Sequence, residues 1–219
     1  MTRLAIFDCD GTLVDSQANI HRAMHDVFVD ARLDPPSRAQ VRGIIGLSLY
    51  EIMRTLLPDA AERDHHHFVQ AYRDKFVAMR ASGSLVEEPL FDGIADLVAA
   101  LSADGWLLGV ATGKSDRGLA YVLAAHDLAH HFVTLQTADR HPSKPHPSMI
   151  EAAIAETGAD PLRTAMIGDT SYDMMMAVNA GVRAVGVGWG YHPPEELVAA
   201  GAHGVALEVA DLAQHLEMS

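Results

Sequence analysis

Short apolar runs alternate with helical stretches along most of this chain, and few folds accept that pattern. The strand-like runs are Leu4–Phe7, Trp106–Thr112, Phe132–Gln136, Ala165–Gly168 and Ala184–Val187, with a weaker one at Gly204–Leu207. Helical patterning fills the intervals at Ile94–Leu101, Leu119–His126, Ser148–Glu156, Tyr172–Asn179 and Glu195–Ala199. Continuous apolar runs separated by helices predict strands buried on both faces, and hence an α/β, doubly wound, Rossmann-like parallel sheet. In such sheets a ligand binds at the carboxyl ends of the strands.

One interval breaks the alternation. From about Gln17 to Gly83 only helical patterning is present. Ile20, Met24, Val27, Phe28 and Ala31 share one stripe, and Phe68, Tyr72, Phe76 and Met79 share another. Ser48 with Glu51, and Asp59 with Glu62, match a capping box or its acidic variant. A chain of 219 residues accommodates a core and an insert. The expected division is an α/β core formed by 1–15 and 86–219, with a helical insert at 16–85. Ala81-Ser-Gly-Ser84 is the expected hinge, because glycine and serine bend at little cost.

The formal net charge of −13 removes any gain from counterion release, so neither nucleic acid nor an anionic membrane is an expected partner. A phosphate-bearing ligand would need local cations or a metal. The single cysteine, Cys9, cannot form an internal disulfide, which suits a reducing cytoplasm. No apolar stretch reaches spanning length, and the N-terminal run is too short for a signal peptide. The expectation is a soluble cytoplasmic protein, monomer or homodimer.

Four polar clusters fall at or just after the carboxyl ends of predicted strands: Asp8-Cys-Asp10-Gly11, Thr112-Gly113-Lys114, Ser143-Lys144-Pro145 and Gly168-Asp169 through Asp173. A parallel sheet would gather them at one edge. Asp8 and Asp10 are two apart, so a strand would point both to one side, where they repel unless a positive charge intervenes. Asp8 and Asp169 supply hard oxygens suited to Mg²⁺, and Asp173 lies one helical turn beyond Asp169. Thr112, the Gly113 N–H and Lys144 suit phosphoryl oxygens. One of the first two aspartates is then free to attack phosphorus while the other handles protons. Taken singly, Asp169 and Asp173 are also ordinary helix N-terminal acids.

IFDCDGTLVDS, VATGKS, SKPHPSMI and MIGDTSYDMMMAVNAG resemble, in order, the four motifs of the haloacid dehalogenase-like hydrolases. With the helical insert, the resemblance extends over nearly the whole chain and lies nearest the phosphoglycolate phosphatase-like branch. It implies that Asp8 is a nucleophile forming an aspartyl-phosphate, and that Asp10 is the acid and base. It implies Mg²⁺ held by Asp8, the Asp10 backbone carbonyl and Asp169, with Asp173 in support, and phosphate held by Thr112 and Lys144. The insert would be a cap. Dehalogenases of this kind lack the second aspartate, so Asp10 favours phosphoryl chemistry on a small phosphorylated metabolite. Phosphonate-cleaving relatives use a cap lysine, and the insert's one lysine, Lys75, lies away from the expected cap loop. A phosphosugar mutase would use the same clusters. A non-catalytic binding module has no need of the charge cluster of Asp8, Asp10, Lys144 and Asp169.

Within the insert, Arg42-Gly-Ile-Ile-Gly46-Leu-Ser48 joins two helical patterns. Its glycines allow a loop to press on a small ligand, and Arg42 could pair with a second anionic group. Gly113-Lys-Ser115 fails as a nucleotide loop, since the required first glycine falls on Leu108. Gly186-Val-Gly-Trp-Gly190 fails as a dinucleotide fingerprint at Tyr191. It reads as a loop rimming the site, with Trp189 or Tyr191 touching substrate or simply packed. His65, His66 and His67 fan around a helix and cannot converge on one ion, so a solvated face is expected. Cys9 and Met174–Met176 are expected to fill the core.

Overall fold

The computed structural model describes residues 2–216; Met1 and residues 217–219, at the ends of the expected core segments, lie outside the described residues. Strands β1 (Leu4–Phe7), β2 (Leu107–Thr112), β3 (Phe132–Thr137), β4 (Thr164–Gly168), β5 (Arg183–Val187) and β6 (Gly204–Ala206) form one sheet, ordered β3-β2-β1-β4-β5-β6. Every pairing is parallel. Ile6 on β1 pairs with Gly109 on one side and Met166 on the other. From β1 the chain winds outward to β3, then returns to β4 and winds the other way. The order therefore reverses between β1 and β4, and the crevice at their carboxyl ends is where such a sheet binds ligands. Asp8 follows β1 and Asp169 follows β4.

Helices α1 (Gln17–Asp30), α2 (Arg38–Arg42), α3 (Leu49–Leu56) and α4 (Glu62–Ala81) occupy the interval without strands. They bury Ile20, Met24, Val27, Phe28, Val41 and Met53 in an apolar cluster of their own, with Phe68, Tyr72 and Phe76 packed against it. Tyr191, from the loop after β5, enters the same cluster. The Ser48 hydroxyl caps α3 by accepting the Glu51 N–H. The other expected cap is corrected: α4 begins at Glu62 with Ala61 as its N-cap, so Asp59 lies outside the helix and no side chain caps it. Ala31 is likewise exposed, because α1 ends at Asp30. His65 departs from the expected solvated face. It is buried, with Nε2 2.9 Å from the Leu57 carbonyl and its ring edge-on to Tyr50, whereas His66 and His67 are exposed. Lys75 is paired with Asp30 at 2.7 Å.

Two chain segments join the insert to the sheet, and they are tied together. The Asp15 N–H donates to the Pro89 carbonyl and the Phe91 N–H to the Leu13 carbonyl. Gly83 turns the chain in the left-handed conformation after α4, at φ +68°. Asn19 then holds the returning segment, donating to the Val86 carbonyl and accepting its N–H.

Helices α5 (Ile94–Ala103), α6 (Asp116–Ala125), α7 (Ser148–Thr157), α8 (Ser171–Ala180), α9 (Pro194–Ala199) and α10 (Leu212–Leu216) cover the sheet. Side chains alternate along β1 and so separate two cores. Ala5 and Phe7 face α5, α6 and α10, through Ile94, Val98, Leu119, Leu123 and Leu212, and Cys9 belongs to the same cluster. Leu4 and Ile6 face α7, α8 and α9, through Met149, Ile150, Met174, Met176 and Leu197. Ile6 is fully buried in the middle of the sheet. Ile6→Ala is expected to lower stability by about 2–5 kcal/mol and Tm by about 5–15 °C. A thermal melt showing a loss of less than about 2 °C would mean that this face is not the packed core described.

Candidate active site

The backbone leaves β1 with the Asp8 N–H still bonded to the Ile167 carbonyl, 2.9 Å away, so the sheet itself fixes Asp8. The turn that follows needs Gly11: φ is +85°, and a Cβ would overlap the Asp169 carboxylate and meet the Tyr191 ring at 2.8 Å. The paired aspartates are separated by giving each its own lysine. Lys144 Nζ lies 2.9 Å from Asp8 Oδ1, and Lys114 Nζ lies 2.7 Å from Asp10 Oδ1. Lys144, fully buried at its side chain, also reaches Asp173 Oδ1 at 2.6 Å. Burial alone would lower both lysines, but the adjacent carboxylates outweigh it and hold each ammonium above its ordinary range.

Asp169 follows β4 and is held through both oxygens. Oδ1 accepts the Thr12 hydroxyl at 2.7 Å and Oδ2 accepts the Tyr191 N–H at 2.9 Å. Asp173 does what the simplest helix-start explanation requires and something more. Its Oδ2 completes a capping box with Thr170, while Oδ1 faces Lys144. Gly168 makes room for it, because a Cβ there would overlap the Asp173 side chain.

Asp8, Asp169 and Asp173 each bring a carboxylate oxygen within 4.8 Å of the others, and all three are buried. Asp8 Oδ2 is buried with no hydrogen-bond partner among the described residues. Burial, then the neighbouring carboxylates, push Asp8 up to about 7 against the pull of Lys144. The same causes push Asp169 well above the ordinary carboxyl range. Fully ionised, three carboxylates against one ammonium would leave two negative charges in a dry site with an unpartnered oxygen, which is why Asp8 and Asp169 resist ionising. Hard oxygens in that charge balance fit a divalent cation such as Mg²⁺.

Thr112 ends β2, fully buried, and Gly113 follows it. The insert reaches this point: a Cβ on Gly113 would overlap the Leu47 carbonyl and lie 2.9 Å from that of Gly46. Gly46, at φ +105°, sits over Thr170, whose hydroxyl a Cβ would meet at 3.1 Å. Ser48 N–H donates to Ser143 Oγ, beside Lys144. Arg42 directs Nε to the Tyr191 carbonyl at 2.7 Å and Nη2 to the Gly190 carbonyl at 2.9 Å. The Arg42–Ser48 segment thus touches the loops that carry Gly113, Lys144 and Asp169.

Sequence reasoning assigned no role to Lys114, Thr12, Ser16 or Glu88, and weighed Tyr191 only as a substrate contact or a packed side chain. Lys114 was visible beside Thr112-Gly113, but nothing local pairs it with Asp10. Ser16 Oγ also donates to Asp10 Oδ1. Glu88, raised by burial, lies 3.9 Å from Lys114 and accepts from Asn19. The glycine-rich loop after β5 is packed rather than open, with Trp189 Nε1 donating to the Thr12 carbonyl and Tyr191 buried.

An acid whose folded pKa lies above its unfolded one stabilises the fold below the unfolded value and loses that contribution as pH rises through the folded value. Metal-free protein is therefore expected to melt progressively lower as pH rises from the ordinary aspartate range through about 7. Asp169→Asn retains both hydrogen bonds, accepting from Tyr191 N–H and donating to Thr12 Oγ1, without the charge. In chelator it should melt above wild type by ~2–4 °C per kcal/mol of relieved strain wherever Asp169 ionises, a gap that widens as pH rises and closes at low pH. Mg²⁺ should raise Tm in wild type only. Superimposable melts of the two proteins in chelator at every pH would refute a costly buried charge at Asp169.

The haloacid dehalogenase-like hydrolase family model matches residues 5–187. The "Probable phosphatase IndB" of Dickeya dadantii is 36% identical over 204 residues, 91% of this chain and 87% of that protein. The phosphoglycolate phosphatase of Agrobacterium fabrum is 28% identical over 200 residues, 87% of this chain and 82% of that protein. Among solved structures, a haloacid dehalogenase-like family hydrolase from Streptococcus pneumoniae superposes with a TM-score of 0.85 at 25% identity, covering 99% of each chain. The sheet order, the four loops at one edge and these likenesses agree, and the chain belongs to the haloacid dehalogenase-like hydrolase family, in its phosphoglycolate phosphatase-like branch.

Proposed function

We propose that this protein is a Mg²⁺-dependent phosphatase that hydrolyses a small-molecule phosphate monoester through an aspartyl-phosphate on Asp8. The observation that carries this function is the separation of the two aspartates. Asp8 sits among Lys144, Asp169 and Asp173, whereas Asp10 sits apart with Lys114 and Ser16. That separation supports a division of labour in which Asp8 bonds to phosphorus and Asp10 manages protons.

Asp8, the Asp10 backbone carbonyl, Asp169 and Asp173 would hold Mg²⁺, whose charge lowers the repulsion between an incoming phosphoryl group and the carboxylates. The Thr112 hydroxyl, the Gly113 N–H and Lys144 bind the phosphoryl oxygens. An Asp8 oxygen bonds to phosphorus as the ester P–O bond breaks, and Asp10 gives its proton to the departing alcohol. Asp10 then takes a proton from water, whose oxygen attacks phosphorus and releases phosphate and Asp8. Lys114 and Ser16 orient Asp10 through both steps.

Residues 16–85 act as a cap on a core formed by 1–15 and 86–219, in this proposal. The main chain of Gly46 and Leu47 closes over Gly113 without room for a methyl group, which favours a small leaving group such as that of phosphoglycolate. Gly46 sets specificity through that approach. A single cysteine and the absence, among the described residues, of any helix long and apolar enough to cross a membrane accord with a cytoplasmic enzyme.

Phosphate release from phosphoglycolate, pyrophosphate, a nucleoside monophosphate and a sugar phosphate should require Mg²⁺, and Asp8→Asn should reduce kcat on the order of 10⁴-fold or more. Release that survives Asp8→Asn would sink the covalent route, and an isomerised sugar phosphate without net release would identify a mutase. Gly113→Ala, which forces the insert away from the core, should lower kcat/KM by about 10²-fold while Tm stays within a few degrees. An unchanged kcat/KM would show that closure over Gly113 is not needed for turnover.

A further inference from the structure

The peptide between Gly190 and Tyr191 is gripped at both ends. A trans peptide is a rigid plane whose C=O and N–H point in opposite directions. Here the Gly190 carbonyl accepts Arg42 Nη2 at 2.9 Å, and the Tyr191 N–H donates to Asp169 Oδ2 at 2.9 Å. Arg42 Nε adds a second bond to the Tyr191 carbonyl. One planar unit thus stands between a guanidinium of the insert and a carboxylate of the Asp8–Asp169–Asp173 cluster. A cation on the carbonyl end also polarises the amide and strengthens the bond that its N–H makes.

The rest of the loop allows little slack. Gly190 lies so close that a Cβ would overlap Asp169. The His192 N–H donates to the Asp169 carbonyl, and Trp189 Nε1 to the carbonyl of Thr12, whose hydroxyl holds Asp169 Oδ1. On the other side the Tyr191 ring is buried in the insert's apolar cluster, and its hydroxyl accepts the Ser16 N–H at 3.2 Å. Moving the insert without moving this loop would break the Arg42 bonds and withdraw the ring. Moving them together would take the N–H off Asp169.

We propose that Arg42 is a positioning residue for the cation site, fixing Asp169 through the Gly190–Tyr191 peptide, so that cap seating and divalent-cation binding strengthen each other. The proposal rests on the Mg²⁺ site described above. Linkage makes the coupling reciprocal: whatever affinity the seated cap adds for the cation, the cation adds to cap seating. It also gives Arg42 a role that needs no contact with substrate.

The test is Mg²⁺ alone titrated into the full chain, without substrate, by calorimetry and by the fluorescence of Trp189 on the same loop. Arg42→Ala, with far-UV circular dichroism like that of wild type, should bind Mg²⁺ about tenfold more weakly. Arg42→Lys, which cannot serve both carbonyls with one planar fork, should fall between them. Turnover by Arg42→Ala should recover as Mg²⁺ is raised, with little change in substrate KM. Unchanged Mg²⁺ affinity in Arg42→Ala would overturn the proposal, and a raised KM beside it would make Arg42 a substrate ligand. Wild type that binds no Mg²⁺ would remove the cation site itself, and the coupling with it.

Discussion

The buried ammonium of Lys144, 2.9 Å from Asp8 and 2.6 Å from Asp173, is the interaction on which the site depends. A lone charge in that position would be untenable, and one lysine offsets only part of the burden of three buried carboxylates. Asp8 and Asp169 remain raised despite it. The fold therefore gathers acids that resist ionising where water is excluded, a setting that a divalent cation would relieve. Stability given up here is recovered in the two apolar cores on either side of the sheet, whose strands hold the loops in register.

The topology explains why four distant pieces of chain converge. Reversal of strand order beside β1 opens a crevice between the ends of β1 and β4, and all four loops emerge at that edge. The insert does not merely sit above it. Its Arg42–Ser48 segment touches three of those loops, and Tyr191 reaches from the core into the insert's own apolar cluster. The packing of the insert and the geometry of the site are consequently properties of one contact network.

Much of this was legible in the sequence because it rests on local rules. Strands buried on both faces read as continuous apolar runs, so each of the six was visible, including the short β6. The insert's stripes at Ile20–Phe28 and Phe68–Met79 marked helices α1 and α4. Asp8, Asp10, Lys144 and Asp169 stood out because charge at the end of an apolar run needs a chemical reason. The failures also have physical causes. Asp59 with Glu62 has the letters of a cap, but α4 starts at Glu62 itself, after an N-cap at Ala61, so Asp59 lies two residues short of the cap position. His65 looked like its neighbours, yet the Leu57 carbonyl and Tyr50 bury it, and neither partner is implied by helical spacing.

The sequence by itself determined the sheet, the helical insert and the identity of the acidic and basic groups at the strand ends, because burial periodicity and motif chemistry are encoded within a few residues. Only the tertiary structure decided which charge meets which. That Lys144 serves Asp8 and Asp173 while Lys114 serves Asp10, and that a peptide after β5 joins Arg42 to Asp169, depends on contacts between residues far apart in the chain. A hydrogen bond or ion pair is set by separations of a few ångströms between side chains, and those are fixed by how the elements pack.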